Sequence, residues 1–328
     1  MSEGLVIGID IGATKTRLGV GDVSGRIHIK HVYRTTDVAH NIIDFIVDDI
    51  KKNFSNFLDK VVGVGIASIG PLDLKRGMIL SPPNAPLKNV KIVAELRERL
   101  GKEVFLVNDA VAAVWAEKVY GMGRDFRNLV YITLSTGIGA GVIVDDHLLL
   151  GKDGNAHEVG HIVVDYTGMM RCGCGGRGHW EAYCSGMNIP AFVEKLLEKK
   201  YGGQLEGSLL RQEYRRNYLT AETLFRYAKQ GDALAIKIVE EEIGRLNAAG
   251  IASVVNCYDP EVVLLGGAIA LNNEELVLGP IAKYIDMYVT NRRPKVTITD
   301  LGEDACLKGA LAIVAKPPPS LREYFRYP

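Results

Sequence analysis

Apolar and polar positions along the chain alternate between strand-like runs and stretches with helical spacing. Residues 5–11, LVIGIDI, are an apolar run that predicts a buried strand ending on the turn GATKT. A second run at 17–21, the turn DVSG and the segment IHIKHVYRT complete a predicted β-meander. From 41 to 58 the apolar residues Ile42, Phe45, Ile46, Ile50, Phe54 and Leu58 recur at helical spacing. VVGVGIASIGP (61–71) reads as a buried strand running into a Gly-Pro turn. Residues 72–90, with prolines at 82, 83 and 86, read as loop. A short helix over 92–100 closed by Gly101, a strand over 103–109 and the alanine-rich helix AVAAVWAEKVYG follow.

At 128–150, NLVYITLSTGIGAGVIVDDHLLL repeats the opening order of strand, glycine turn, strand, polar turn and strand. Identity between the two stretches is weak, so the repeated order of elements carries the argument. Two related halves, each with a glycine turn that bares backbone N–H groups, are a device for clamping a nucleotide. Beyond residue 187 the pattern predicts a helix over 188–200, an irregular polar segment over 201–218 and two further helices up to 259. A last buried strand is expected at 260–270, ending in Gly266-Gly267, then a small-residue helix over 305–315 and a loosely ordered tail.

Composition narrows the class of molecule. The 328 residues are long for a single core, so two domains are expected. Hydrophobic residues at 47% and charged residues at 24% are ordinary for a globular enzyme. Lys plus Arg and Asp plus Glu balance at 39 each, which gives no pull toward nucleic acid or an anionic membrane. No apolar run approaches the ~20 residues that span a bilayer. Five cysteines, an odd number with two in one loop, favour a reducing cytoplasm over a disulfide framework.

Chemistry concentrates in HEVGHIVVDYTGMMRCGCGGRGHWE (157–181), which carries Glu158, Glu181, His157, His161, His179, Cys172 and Cys174. Its glycine density opposes both helix and packed strand. Thiolate and imidazole are what zinc takes in a tetrahedral site, so His161, Cys172, Cys174 and His179 are the expected ligands. The bland alternative is an exposed glycine loop with two incidental thiols. GCGGRG (173–178) matches GxGxxG by letter, but it follows no strand and opens no helix, so no dinucleotide site is expected there. Asp10 and Gly12–Thr16 lie on the first turn, where amides and a hydroxyl suit phosphate, although a turn-forming Asp is the simpler reading of Asp10 alone. Asp109 begins a helix at the end of a strand; it is either an N-cap or a ligand group.

The segments GIDIGATKTRLGV (8–20), NDAVAA (108–113), LSTGIGAGV (134–142), EVGH (158–161), CGCGGRGHWEAYCSG (172–186) and VVLLGGAI (262–269) span most of the chain. Together they resemble the ROK family of sugar kinases and sugar-responsive repressors, within the actin and hexokinase superfamily. The resemblance implies a two-lobed actin-like ATPase (ribonuclease H-like) α/β fold with duplicated βββαβα-type halves. A smaller lobe would comprise 1–112 completed by 305–328, and a larger lobe 113–304. It implies ATP-dependent phosphorylation of a hexose at the 6-hydroxyl, glucose first, with N-acetylmannosamine or fructose as alternatives. Asp109 would be the general base. Asn108, Glu158, His161, Glu181, Gly70 and Asn84 would hold the sugar with it.

Gly12, Thr14, Lys15, Thr136, Gly137 and Gly139 would line the triphosphate, Asp10 would lie near Mg2+, and Gly266-Gly267 near adenosine. A structural Zn2+, a homodimer and a cytoplasmic location are also implied. The family usually has a third cysteine where this chain has His179. A repressor of the family needs a helix-turn-helix domain before the first strand, and only residues 1–4 precede it here. A sugar-binding regulator without that domain is the remaining non-enzymatic reading, and the presence of Asp109 argues against it.

Overall fold

The computed structural model describes residues 4–82 and 84–324, the side chains of 322 and 323 excepted. The meander is present as β1 (Leu5–Ile11), β2 (Lys15–Asp22) and β3 (Ile27–Arg34), paired antiparallel. β4 (Val61–Ser68) lies parallel to β1, and β7 (Val104–Asn108) parallel to β4, giving the order β3-β2-β1-β4-β7. Between β4 and β7, the expected loop holds a two-stranded hairpin, β5 (Leu72–Asp73) with β6 (Met78–Ile79). Two-residue strands are too short to produce a period.

The second sheet consists of β8 (Leu129–Leu134), β9 (Ile138–Val144), β10 (His147–Leu148), β11 (Val262–Gly266) and β12 (Lys295–Ile298). Its order is β10-β9-β8-β11-β12. Counted from the first strand of each sheet, both have the order 3-2-1-4-5, so the repeat read in the sequence is a repeat of topology. The chain packs as two compact units: Met1–Tyr131, Ala140–His157 and Thr299–Pro328 form one, Ile132–Gly139 and Glu158–Ile298 the other.

In the first unit, the helix Ala305–Ala315 lies against the helix Asp109–Val119 at very close range. A Cβ on Gly309 would stand 2.1 Å from the Ala112 carbonyl oxygen, so only glycine permits the approach. Its neighbours Leu307, Ala310 and Leu311 are fully buried, as are Ala112 and Ala113 opposite. The predicted helices at 42–58 and 92–100 are found at Ile42–Asn53 and Ile92–Leu100, the latter ended by Gly101 at φ 63°.

Several expectations need correction. The segment 201–218 is not irregular; it contains the helix Leu210–Arg216, which buries only Leu210 and so leaves little apolar pattern. The strand at 260–270 stops at Gly266, where the helix Gly267–Asn272 begins, and β12 follows it. The tail is not loose through 324: Pro319–Tyr324 is a helix, Leu321 is buried and the Tyr324 hydroxyl donates to the Gly151 carbonyl. No described helix is long and apolar enough to cross a membrane.

Candidate active site and metal centre

The parallel strands β1, β4 and β7 end at one edge of the first sheet. Ile11 pairs with Ser68, and Ser68 with Asn108. Asp10–Gly12, Ser68–Gly70 and Asn108–Asp109 are therefore neighbours at the carboxyl ends of adjacent strands, where open α/β sheets place ligands. Asn108, not Asp109, is the N-cap: its Oδ1 accepts from Ala110 N at 2.9 Å and Val111 N at 3.3 Å. Asn and Asp cap equally well, so adjacent residues could not be told apart in the sequence. Capping spends the Asn108 oxygen, and its Nδ2 remains the donor the side chain offers. Asp109 begins the helix half-buried, with Oδ1 accepting from Ala110 N at 2.8 Å.

Asp10 is 2% exposed, and Arg17, directly opposite it across β1 and β2, donates to its Oδ2 at 2.6 Å. Burial pushes the Asp10 pKa up, and the guanidinium works against that push. Arg17 was not among the expected site residues, although its strand register opposite Asp10 was a usable signal. Burial raises the Cys306 thiol well above its usual value, and the charges of Asp10 and Asp109 act in the same direction. Asp10, Asp109 and Cys306 thus share one electrostatic neighbourhood. One carboxylate beside substrate phosphates is a common protein contribution to a Mg2+ site. Gly12 and Thr14 lie in the turn after β1 and Lys15 begins β2, with Gly12 N donating to Lys15 O at 2.9 Å. Gly70 follows β4, and Asn84 lies half-buried in the loop beyond the hairpin.

In the second unit, Thr136 and Gly137 form the turn between β8 and β9, and Gly139 lies within β9. Ser135 N donates to Gly137 O at 3.0 Å across the turn. Gly267 has φ 83°, and a Cβ there would stand 2.6 Å from Leu134 O, so the end of β11 reaches the end of β8. Glu181, 7% exposed, accepts from Ile138 N through Oε2 at 2.9 Å, which anchors that carboxylate on the glycine turn.

The glycine-rich loop is organised by its own hydrogen bonds. Short bridges pair Val163 with His179 and Arg171 with Arg177. Asp165 accepts from Thr167 N at 2.9 Å, Thr167 Oγ1 at 2.6 Å, Met169 N at 3.2 Å and the Tyr183 hydroxyl. This folding brings His161, Cys172, Cys174 and His179 together, with ligand atoms all within 4.8 Å of one another. Nδ1 of His161 is 3.3 Å from Nδ1 of His179 and 3.7 Å from Cys172 Sγ; Cys174 Sγ is 3.3 Å from His179 Nδ1.

Bonds of about 2.05 Å to nitrogen and 2.3 Å to sulfur give a tetrahedron with edges of about 3.3 Å (N to N) and 3.6 Å (N to S). The separations of 3.3, 3.7 and 3.3 Å are close to those edges, and the two histidines supply two of these contacts and share the third. Burial pushes the Cys172 thiol up to about 12, and burial followed by the nearby His161 lowers His179. The other nitrogen of His161, Nε2, faces Glu158 Oε2 at 3.6 Å. His157 takes no part: it is buried, with Nε2 3.0 Å from the Gly154 carbonyl.

A family model described as "ROK family" matches residues 6–317. The chain belongs to the ROK family. A glucokinase of Pyrobaculum calidifontis is 37% identical over 98% of this chain and 98% of its own length. The crystal structure of a ROK family glucokinase from Streptomyces griseus, in complex with glucose and AMPPNP, superposes with a TM-score of 0.80 at 32% identity. That match covers 94% of this chain and 99% of the other. A xylose repressor of Bacillus subtilis is 27% identical over 95% of this chain but only 77% of its own length. The duplicated sheets are those of the actin-like ATPase fold to which ROK proteins belong.

Proposed function

We propose that this ROK protein is an ATP-dependent glucokinase that transfers the γ-phosphoryl group to the 6-hydroxyl of glucose. The observation that carries the reading is the placement of Asp10 on β1 and of Asn108-Asp109 at the end of β7, at the carboxyl edge of the parallel strands β1, β4 and β7. Near-full-length similarity to glucokinases supports it. Phosphoryl transfer asks little covalent chemistry of a protein; it asks for positioning and charge. Asp109 accepts the proton of the 6-hydroxyl as the oxygen attacks. Asn108, Glu158, His161 and Glu181 hold the other hydroxyls, with Gly70 and Asn84 at the margin. Planar carboxylates and amides suit this because each takes two hydroxyls.

Gly12, Thr14, Lys15, Thr136, Gly137 and Gly139 would receive the triphosphate, Asp10 would lie near the magnesium ion that accompanies it, and Gly266-Gly267 would receive adenosine. Bound magnesium supplies charge neutralisation on the phosphates. His161, Cys172, Cys174 and His179 hold a structural zinc. In this reading residues 1–112 with 305–328 act as one lobe and 113–304 as the other. The enzyme is a cytoplasmic homodimer, a location in keeping with an odd number of cysteines, two of them in one loop.

A panel of glucose, mannose, fructose and N-acetylmannosamine, each with MgATP and coupled detection of ADP, tests the reading. Glucose is expected to give the highest kcat/KM. ADP formation that no sugar stimulates would overturn the proposal.

A further inference from the structure

Single exposed apolar side chains need no explanation by themselves. Met187 calls for one because of where it stands. It is 52% exposed, whereas Cys184, Ser185 and Ile189 around it are buried. Gly186 N donates to Ser135 O at 2.7 Å and Met187 N to Thr136 O at 3.2 Å, so its backbone is bonded to the turn after β8. Two glycines let the backbone close tightly at this corner. A Cβ on Gly186 would stand 3.0 Å from Ser135 O and 3.6 Å from Ile269 Cδ1. A Cβ on Gly267 would stand 2.6 Å from Leu134 O and Thr133 Oγ1. The segments 135–137, 185–187 and 266–269 therefore converge with little side-chain bulk, and Met187 is a long apolar side chain left half in solvent beside them.

Bare amides suit phosphate. A flexible thioether beside them suits neither phosphate nor sugar hydroxyls; it suits a flat π face, which sulfur contacts favourably. We propose that Met187 is the side chain that packs against the purine base of the bound nucleotide. The inference rests on the nucleotide placement proposed above and extends it from phosphates to base.

Calorimetric titration of MgADP and of magnesium pyrophosphate into wild type, Met187→Ala and Met187→Leu tests it, since pyrophosphate is ADP stripped of base and ribose. Met187→Ala is expected to weaken MgADP about two- to tenfold. Pyrophosphate affinity should be unchanged, and Met187→Leu should retain most of the ADP affinity. Unchanged MgADP binding in Met187→Ala would overturn the proposal. Equal weakening of both ligands would do so too, by assigning the effect to the turn and not to a base contact. A wild type that binds MgADP with this dependence but phosphorylates no sugar would leave the base contact standing while the kinase reading fell.

Discussion

The Glu181 carboxylate accepts the Ile138 amide at 2.9 Å, while its other oxygen lies 3.7 Å from Cys172 Sγ. One buried side chain thus connects the glycine turn assigned to the triphosphate with the loop assigned to zinc. Glu181→Gln keeps an oxygen for the Ile138 amide but removes the charge that the proposed reading offers to sugar hydroxyls. Glucose affinity is expected to fall by roughly tenfold or more, from the loss of a charged hydrogen bond, with little change in Tm. Glu181→Ala leaves the amide without its acceptor and should cost a further ~1–3 kcal/mol of stability. Equal Tm values for the two variants would show that the Ile138 contact contributes nothing.

His161 presents its two nitrogens to different partners: Nδ1 to Cys172 and His179, Nε2 to Glu158. Metal on one nitrogen would fix the other as an N–H donor, and in the proposed reading this would couple zinc to sugar binding. His161→Ala is expected to lose zinc and glucose binding together. His179→Cys should keep both, because thiolate is an equally good ligand. Metal analysis with glucose titration on the two variants decides it: full sugar affinity in a zinc-free protein would break the coupling, and a zinc-replete His161→Ala would remove that residue from the ligand set.

Much of this arrangement was legible in the sequence because the relevant elements are strongly patterned. β1 to β3 and β8 to β10 appear where apolar runs end on glycine or Asp turns, and the four metal-loop residues converge as their types suggested. What escaped notice was weakly patterned or decided by packing. The helix Glu274–Tyr284 contains Gly279 and Pro280, which argue against helix, yet Pro280 packs closely on Gly244 and is buried. β12 is a four-residue edge strand of one exposed and three half-buried positions, too short for a period to show. Arg17 read as an ordinary strand residue until the pairing of β1 with β2 set it opposite Asp10.

Glu117 is fully buried; Met122 N donates to its Oε2 at 3.0 Å, and the Thr299 hydroxyl donates to Oε1. Burial raises its pKa above the ordinary carboxylate value. The folded state therefore binds the Glu117 proton more tightly than the unfolded chain does. The stability this contributes is full below the unfolded pKa and is lost as pH rises through the folded value. Glu117→Gln mimics the protonated form, so its stability relative to wild type should improve as pH rises. Urea midpoints for both proteins between pH 4.5 and pH 8 check this, and a gap that stays constant or moves the other way would contradict it.

Asp109 begins its helix beside the Asn108 cap, at the sheet edge it shares with Asp10 and Gly70. Asp109 is the residue proposed as the base that takes the glucose proton. The decisive measurement is the rate of glucose 6-phosphate formation from glucose and MgATP by wild type and Asp109→Asn, with glucose affinity measured alongside. Asparagine can still accept the Ala110 amide, so folding and glucose binding should persist while kcat falls by about 10²–10⁴-fold. A variant with near-normal kcat and unchanged glucose affinity would contradict the account.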